Sequence, residues 1–195
     1  NPANPSDTVG TVTTALPCAV AGAFADARAW DAPAPIRKAI LCAVADLYEA
    51  HLGEIFALLA REAGKTQRDA VAELREAVDF LRYYAAQVDD SAPVGTYVCI
   101  SPWNFPLAIF TGQISAALAA GNAVLAKPAE QTTLIAHFAV NLMHQAGVPR
   151  AALQLLPGDG TMGAALTADT QVGGVAFTGS TTTALRIRQC LAQNA

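Results

Sequence analysis

From Ser91 to Ala126 the chain carries no charged residue. A stretch that long and that apolar belongs either in the hydrocarbon of a membrane or in a protein interior. Pro102, Asn104, Pro106, Gly112, Gln113, Gly121 and Asn122 interrupt it, and a spanning helix would leave those amides costly in lipid. It therefore reads as strand, loop, helix and turn inside an α/β core. The asymmetry runs along the whole chain: residues 1–90 hold 21 of the 28 charged side chains, whereas residues 91–195 hold seven, Lys127, Glu130, Arg150, Asp159, Asp169, Arg186 and Arg188. Ordinary soluble domains are roughly 25 % charged, so a surface this poor in charge calls for a covering partner.

The apolar spacing divides at the same place. Residues 1–14, with Asn-Pro pairs and a short Val9-Gly10-Thr11-Val12 run, suit an extended arm of strand or turn. A helical stripe runs from Ile36 to Leu59, with Gly64 placed to stop it, and Val71, Leu74, Val78, Leu81, Ala85 and Val88 repeat the pattern. Beyond Asp90, strands are predicted over 97–101, 123–127, 153–156 and 174–177, with helices over 107–120, 132–146, 161–166 and 180–193. Apolar strands joined by helical crossovers imply a Rossmann-like parallel sheet with helices on both faces, preceded by a helical region and an arm. Two parts are expected, an arm and helical part over 1–90 and a nucleotide-binding part over 91–195.

A net charge of −4 offers no footprint for nucleic acid or anionic lipid. Cys18, Cys42, Cys99 and Cys190 lie far apart without metal-ligand spacing, so no metal is expected and reduced, intracellular thiols are the plain reading. No basic segment followed by an apolar run opens the chain, so no secretory signal is expected. His51, His137 and His144 lack a partner pattern, and no GxSxG elbow points to a serine hydrolase.

In parallel sheets ligands bind beyond the carboxyl ends of the strands. Here those ends read Ser101-Pro102-Trp103-Asn104-Phe105-Pro106, Lys127-Pro128-Ala129-Glu130, Pro157-Gly158-Asp159-Gly160-Thr161-Met162-Gly163 and Thr178-Gly179-Ser180. The third has the GxGxxG spacing of a dinucleotide loop through Gly158 and Gly163, but the acidic residue expected about 20 positions on is replaced by Phe177-Thr178-Gly179-Ser180. Lys127 and Glu130 are candidates to hold a ribose instead, and a carboxylate there would favour NAD over NADP by repelling a 2′-phosphate. Their alternative is a surface ion pair. Thr178-Gly179-Ser180 either receives a pyrophosphate at a helix N-terminus or supplies an ordinary serine cap. The Asn104 amide either donates to a developing oxyanion or turns the chain.

Taken together, Cys99 to Pro106, Lys127-Pro128-Ala129-Glu130-Gln131-Thr132 and Phe177-Thr178-Gly179-Ser180-Thr181 closely resemble the aldehyde dehydrogenase superfamily. Arg61 to Thr66, Phe80 to Gln87 and Leu107 to Gln113 look most like its glutamate-semialdehyde (pyrroline-5-carboxylate) dehydrogenase module in bacterial proline utilization A. The resemblance implies a partial aldehyde dehydrogenase fold and an NAD-dependent reaction. In that family a cysteine attacks the aldehyde, hydride passes to NAD, and a glutamate-activated water releases the acid.

By the same resemblance Asn104 would be the side-chain half of the oxyanion hole. Ser101, Pro102 and Trp103 would line the cofactor cleft, Lys127 and Glu130 would hold the adenosine ribose, and Thr178, Gly179 and Ser180 would meet the pyrophosphate. Glu62 would lie near the substrate's amino group. The general-base glutamate and nucleophilic cysteine are expected after Ala195, so the fragment is expected to be inactive by itself. The link from Val88 to Pro93 is short for the family, at the place where an oligomerisation strand usually starts. Implied partners are a small aldehyde, the catalytic part of the same domain and a second copy. The implied setting is cytoplasmic, with any flavin (FAD) of the parent in a separate domain. A non-catalytic module of a larger enzyme, or a dehydrogenase for another semialdehyde, are the alternatives.

Overall fold

β1 (Thr96–Ile100) sits inside a parallel four-stranded sheet whose order is β3 (Leu153–Leu155), β2 (Ala123–Lys127), β1, β4 (Val172–Phe177). The computed structural model describes residues 1–194. Seven-residue α1 (Val20–Asp26) comes first, followed by α2 (Ala34–Ala50), α3 (Leu52–Ala63) and α4 (Gln67–Ala86). After the strands in turn come α5 (Ala108–Ala119), α6 (Thr133–Ala146), α7 (Gly160–Ala168) and α8 (Thr181–Asn194). The chain builds outward from β1 to β2 and β3, then returns to β1's other side as β4. That reversal opens a crevice at the carboxyl ends of β1 and β4.

Alternation along the strands explains the two layers, because successive side chains point to opposite faces. Cys99, Val124, Ala126 and Leu153 join α2 to α6 in one core around Tyr48, Phe110, Leu118 and Ile135. Val98, Ile100 and Leu125 face the other way, onto Phe24, Leu156, Met162 and Leu166. Helices thus cover both faces, as expected, and the first core contains residues from both sides of position 90. α5 is apolar all round because it is buried on nearly every side. β4 is an edge strand, and Gly174 suits its place beside Tyr97, whose ring would meet a Cβ there at 2.5 Å.

The structure adds to or corrects the sequence expectations in three places. The stripe over 36–59 is two helices, broken at His51, where φ −102° and ψ 24° leave the helical path and the ring Nδ1 lies 2.9 Å from the Leu47 carbonyl oxygen. The stripe carries on because Ile55 and Leu59 enter the same core as Leu41 and Val44. Of the strand and turn alternatives for the arm, the structure has turns at 2–3 and 5–6, and Val9–Val12 forms no strand. The arm is held instead by Asp7, which accepts from Arg61 at 2.6 Å. α1, absent from the sequence reading, is short and buries only Val20, Ala23 and Phe24.

Candidate functional site

Three of the four strand ends meet at one cleft of about 560 Å³, lined by Ser101, Pro102, Trp103, Asn104, Lys127, Glu130, Phe177, Thr178, Gly179 and Ser180 among others. The backbone draws them together: Thr178 N–H donates to the Ile100 carbonyl at 3.2 Å, and Ser101 N–H to that of Lys127 at 3.3 Å. Gln113, from α5, ties the floor by donating to both the Ile100 carbonyl and Thr178 Oγ1 at 3.2 Å. A second hollow of about 370 Å³ continues past Lys127, Glu130 and Thr183 between α7 and α8, and Gly163 lines it. Gly158 lines neither. Its place is the tight turn before α7, where a Cβ would lie 2.6 Å from that of Met162.

Lys127 closes β2 and is almost wholly buried, so it is no surface charge. Its Nζ donates to the Pro128 carbonyl at 3.0 Å and lies 4.0 Å from Glu130 Oε2, too far for a hydrogen bond. Burial lowers its pKa from the ordinary lysine value, with Glu130 and Asp159 opposing. Two ammonium protons thus remain for a guest. Glu130 is exposed, with Oε1 accepting from Gln131 and Oε2 free of hydrogen bonds among the described residues. Asn104 is exposed on the loop after β1, and among the described residues nothing hydrogen-bonds its side chain. Ser101 Oγ is buried and unpartnered.

Helix N-termini attract anions, and four of them leave this edge of the sheet. Glu73 accepts from Leu107 N–H at 2.8 Å and Ala108 N–H at 3.3 Å, at the start of α5. Glu62 accepts from Leu134 and Ile135 at 2.7 and 2.9 Å, at the start of α6. Burial raises the Glu62 pKa, while those amide bonds work against the shift. Asp159 caps α7 by accepting from Thr161 N–H at 2.9 Å, and its hydrogen bonds from Thr161 hold its carboxyl below the usual range. Of these four, α8 is the one capped by a neutral group: Ser180 Oγ accepts from Thr183 N–H at 3.2 Å. Three positive ends are answered by carboxylates and one is left.

Sequence reasoning missed Gln113 and Glu73, whose partners lie 65 and 34 residues away. For Gln113 the only signal was a polar side chain within an apolar run, and for Glu73, one of several charged residues on α4, there was none. Glu62, expected near a substrate, has both oxygens on α6 backbone amides. None of the four cysteines lines the cleft. Cys99 is sealed in β1 with its thiol pushed up to about 12 by burial, and Cys190 donates to the Thr167 carbonyl at 3.5 Å.

Residues 1–195 match the profile of the Aldehyde dehydrogenase family over their whole length. The chain belongs to the aldehyde dehydrogenase family. The bifunctional protein PutA of Escherichia coli K12 is 55 % identical over 98 % of this chain, which spans 16 % of that protein. A solved 1-pyrroline-5-carboxylate dehydrogenase from Thermus thermophilus superposes with a TM-score of 0.91 at 34 % identity, over 97 % of this chain and 42 % of its own. Betaine aldehyde dehydrogenase from Staphylococcus aureus, solved with NAD+, gives 0.92 at 26 %, over 97 % and 43 %. The chain thus spans less than half the length of each of these three relatives. The family uses NAD or NADP. Among the described residues no helix is long and apolar enough to cross a membrane, and no cluster of His, Cys, Asp or Glu could hold a metal.

Proposed function

We propose that this chain is the NAD-binding part of an aldehyde dehydrogenase that oxidises L-glutamate 5-semialdehyde to L-glutamate in proline catabolism. The observation that carries the reading is the cleft at the β1/β4 reversal, where α8, of the four helices that follow the strands, offers the one N-terminus not already met by a carboxylate. The residues fit the group: spare ammonium protons on Lys127, a free Glu130 oxygen, an unpartnered Ser101 hydroxyl and the α8 amides are the donors and acceptors a dinucleotide needs. The substrate is supported by the name of the T. thermophilus relative, a 1-pyrroline-5-carboxylate dehydrogenase, since that cyclic imine opens to glutamate 5-semialdehyde on hydrolysis.

When bound, NAD supplies the hydride acceptor. The chain's own residues bind and orient. Thr178, Gly179 and Ser180 present the α8 N-terminus to the pyrophosphate, while Lys127 and Glu130 hold the adenosine ribose between the two hollows. Ser101, Pro102 and Trp103 wall the cleft towards Asn104. The free Asn104 amide donates to the aldehyde oxygen as its negative charge grows, a contribution worth about 10²- to 10³-fold in rate for one such donor. Since no cysteine lines the cleft, this 195-residue polypeptide alone should form no NADH from aldehyde.

The test is Ser180→Asp. A carboxylate is as good a helix cap as serine, so the chain should fold and melt as before. It would, however, give α8 what α5, α6 and α7 already have. NAD+ affinity should fall at least tenfold by titration calorimetry, and an unchanged affinity would remove the α8 N-terminus from the site.

A further inference from the structure

Against the Asn104 loop, lining neither hollow, lies a charged arrangement that cofactor binding does not use. Glu73 is 1 % exposed inside α4. Its Oε1 holds the first amides of α5, and its Oε2 lies 2.8 Å from Lys65 Nζ. Lys65 is itself largely buried, and its ammonium stands 4.3 Å from the centre of the Phe105 ring. Phe105 is the residue next to Asn104, and Leu107, which Glu73 holds, is three residues beyond it.

We infer that Lys65 and Glu73 are positioning residues that fix the Asn104 amide, gripping its loop at Phe105 and at the start of α5. The inference rests on the reading of Asn104 as oxyanion donor. A loop of exposed residues has no packing of its own to set an amide's direction, and Trp103, Asn104 and Phe105 are all exposed. A cation over a ring face attracts it electrostatically, more strongly where water is excluded. The cation is well anchored. Gly64, at φ +69°, ends α3, Lys65 N–H donates to the Leu59 carbonyl at 3.1 Å, and Thr66 caps α4. A buried carboxylate needs a partner of opposite charge, so Glu73 holds the ammonium in place while also starting α5. One carboxylate thus sets both ends of the Phe105–Leu107 segment.

Two variants separate positioning from general support. Phe105→Leu removes the ring but leaves the Lys65–Glu73 pair and the α5 cap intact, whereas Lys65→Met removes the cation. ¹⁵N relaxation on the whole chain, read at both the backbone N–H and the side-chain NH₂ of Asn104, gives the result. In the wild type the Asn104 backbone N–H should be as ordered as α5, with an order parameter of about 0.85, and the side-chain NH₂ should follow the same trend across the variants. In both variants the backbone value should drop below about 0.6. In Phe105→Leu the Leu107 and Ala108 amides should keep their protection from hydrogen exchange within threefold. Lys65→Arg, which keeps the charge over the ring, should restore the order.

An Asn104 amide that stays ordered in Phe105→Leu overturns the inference, whether or not Lys65→Met folds. So does disorder that spreads through Leu107 and Ala108 in that variant, since the effect is then general. NAD+ affinity, read on the same samples, should stay within threefold of wild type. Absence of NAD+ binding by the wild type would defeat the cofactor reading while leaving the loop measurement to stand or fall separately.

Discussion

Lys127 shows how a single side chain links burial to cofactor choice. Its ammonium is held where water is scarce, so its pKa in the folded chain lies below the ordinary 10.5. Between those two values the unfolded chain binds more protons, so stability rises with pH as 10.5 is approached. Lys127→Met should flatten that rise in urea titrations, and an unchanged slope would mean the ammonium is better solvated than the fold implies. Glu130 works on the other side of the same site. If it accepts from both ribose hydroxyls, NAD+ should bind more tightly than NADP+, and Glu130→Gln should narrow the gap by about 1–2 kcal/mol, the scale of a charged hydrogen bond. Paired titrations of the two cofactors check this, and an unaltered ratio excludes Glu130 from the ribose site. Asn104, Lys127 and Ser180 were legible in the sequence because each sits at or just beyond the end of a strand that apolar spacing marks. Glu73 and Gln113 were not, because pairing across 34 and 65 residues leaves no local pattern.

At the level of elements, hydrophobic spacing located the sheet well. The fully buried β2 coincides with the expected 123–127 run, and the glycine stop after α6 is a left-handed Gly147 at φ +116°. Spacing failed where packing outlasts local geometry, as at His51, where one apolar stripe covers two helices. Nor could it show how the link into β1 is held. Asn122, 3 % exposed, accepts at Oδ1 from both Val94 and Gly95 N–H, at 2.8 and 3.0 Å, and donates to the Ala117 carbonyl. It joins the end of α5 to the start of β1. Asn122→Ala leaves two part-buried amides unmet and should cost about 1–3 kcal/mol, read as a lower urea midpoint at constant slope. A loss under about 0.5 kcal/mol would show that water takes the side chain's place.

For the molecule as a whole, the sequence's uneven charge and the fold's uneven cover agree. The layer of α2 to α6 seals one face of the sheet, while β4 is only half-buried and its outer edge pairs with no strand among the described residues. Unpaired edges and sparse charge favour association. The chain should therefore self-associate or bind a hydrophobic dye, and a compact, dye-silent monomer in sedimentation and fluorescence would contradict that.

Three strand ends and the α8 N-terminus should act as one NAD site, which ¹H–¹⁵N shift mapping during NAD+ titration can resolve residue by residue. Saturable shifts are expected on Ser101–Asn104, Lys127–Gln131 and Thr178–Thr183, with the exposed face of α4 unmoved. Saturable shifts confined to other surfaces, or none at millimolar NAD+, would contradict it.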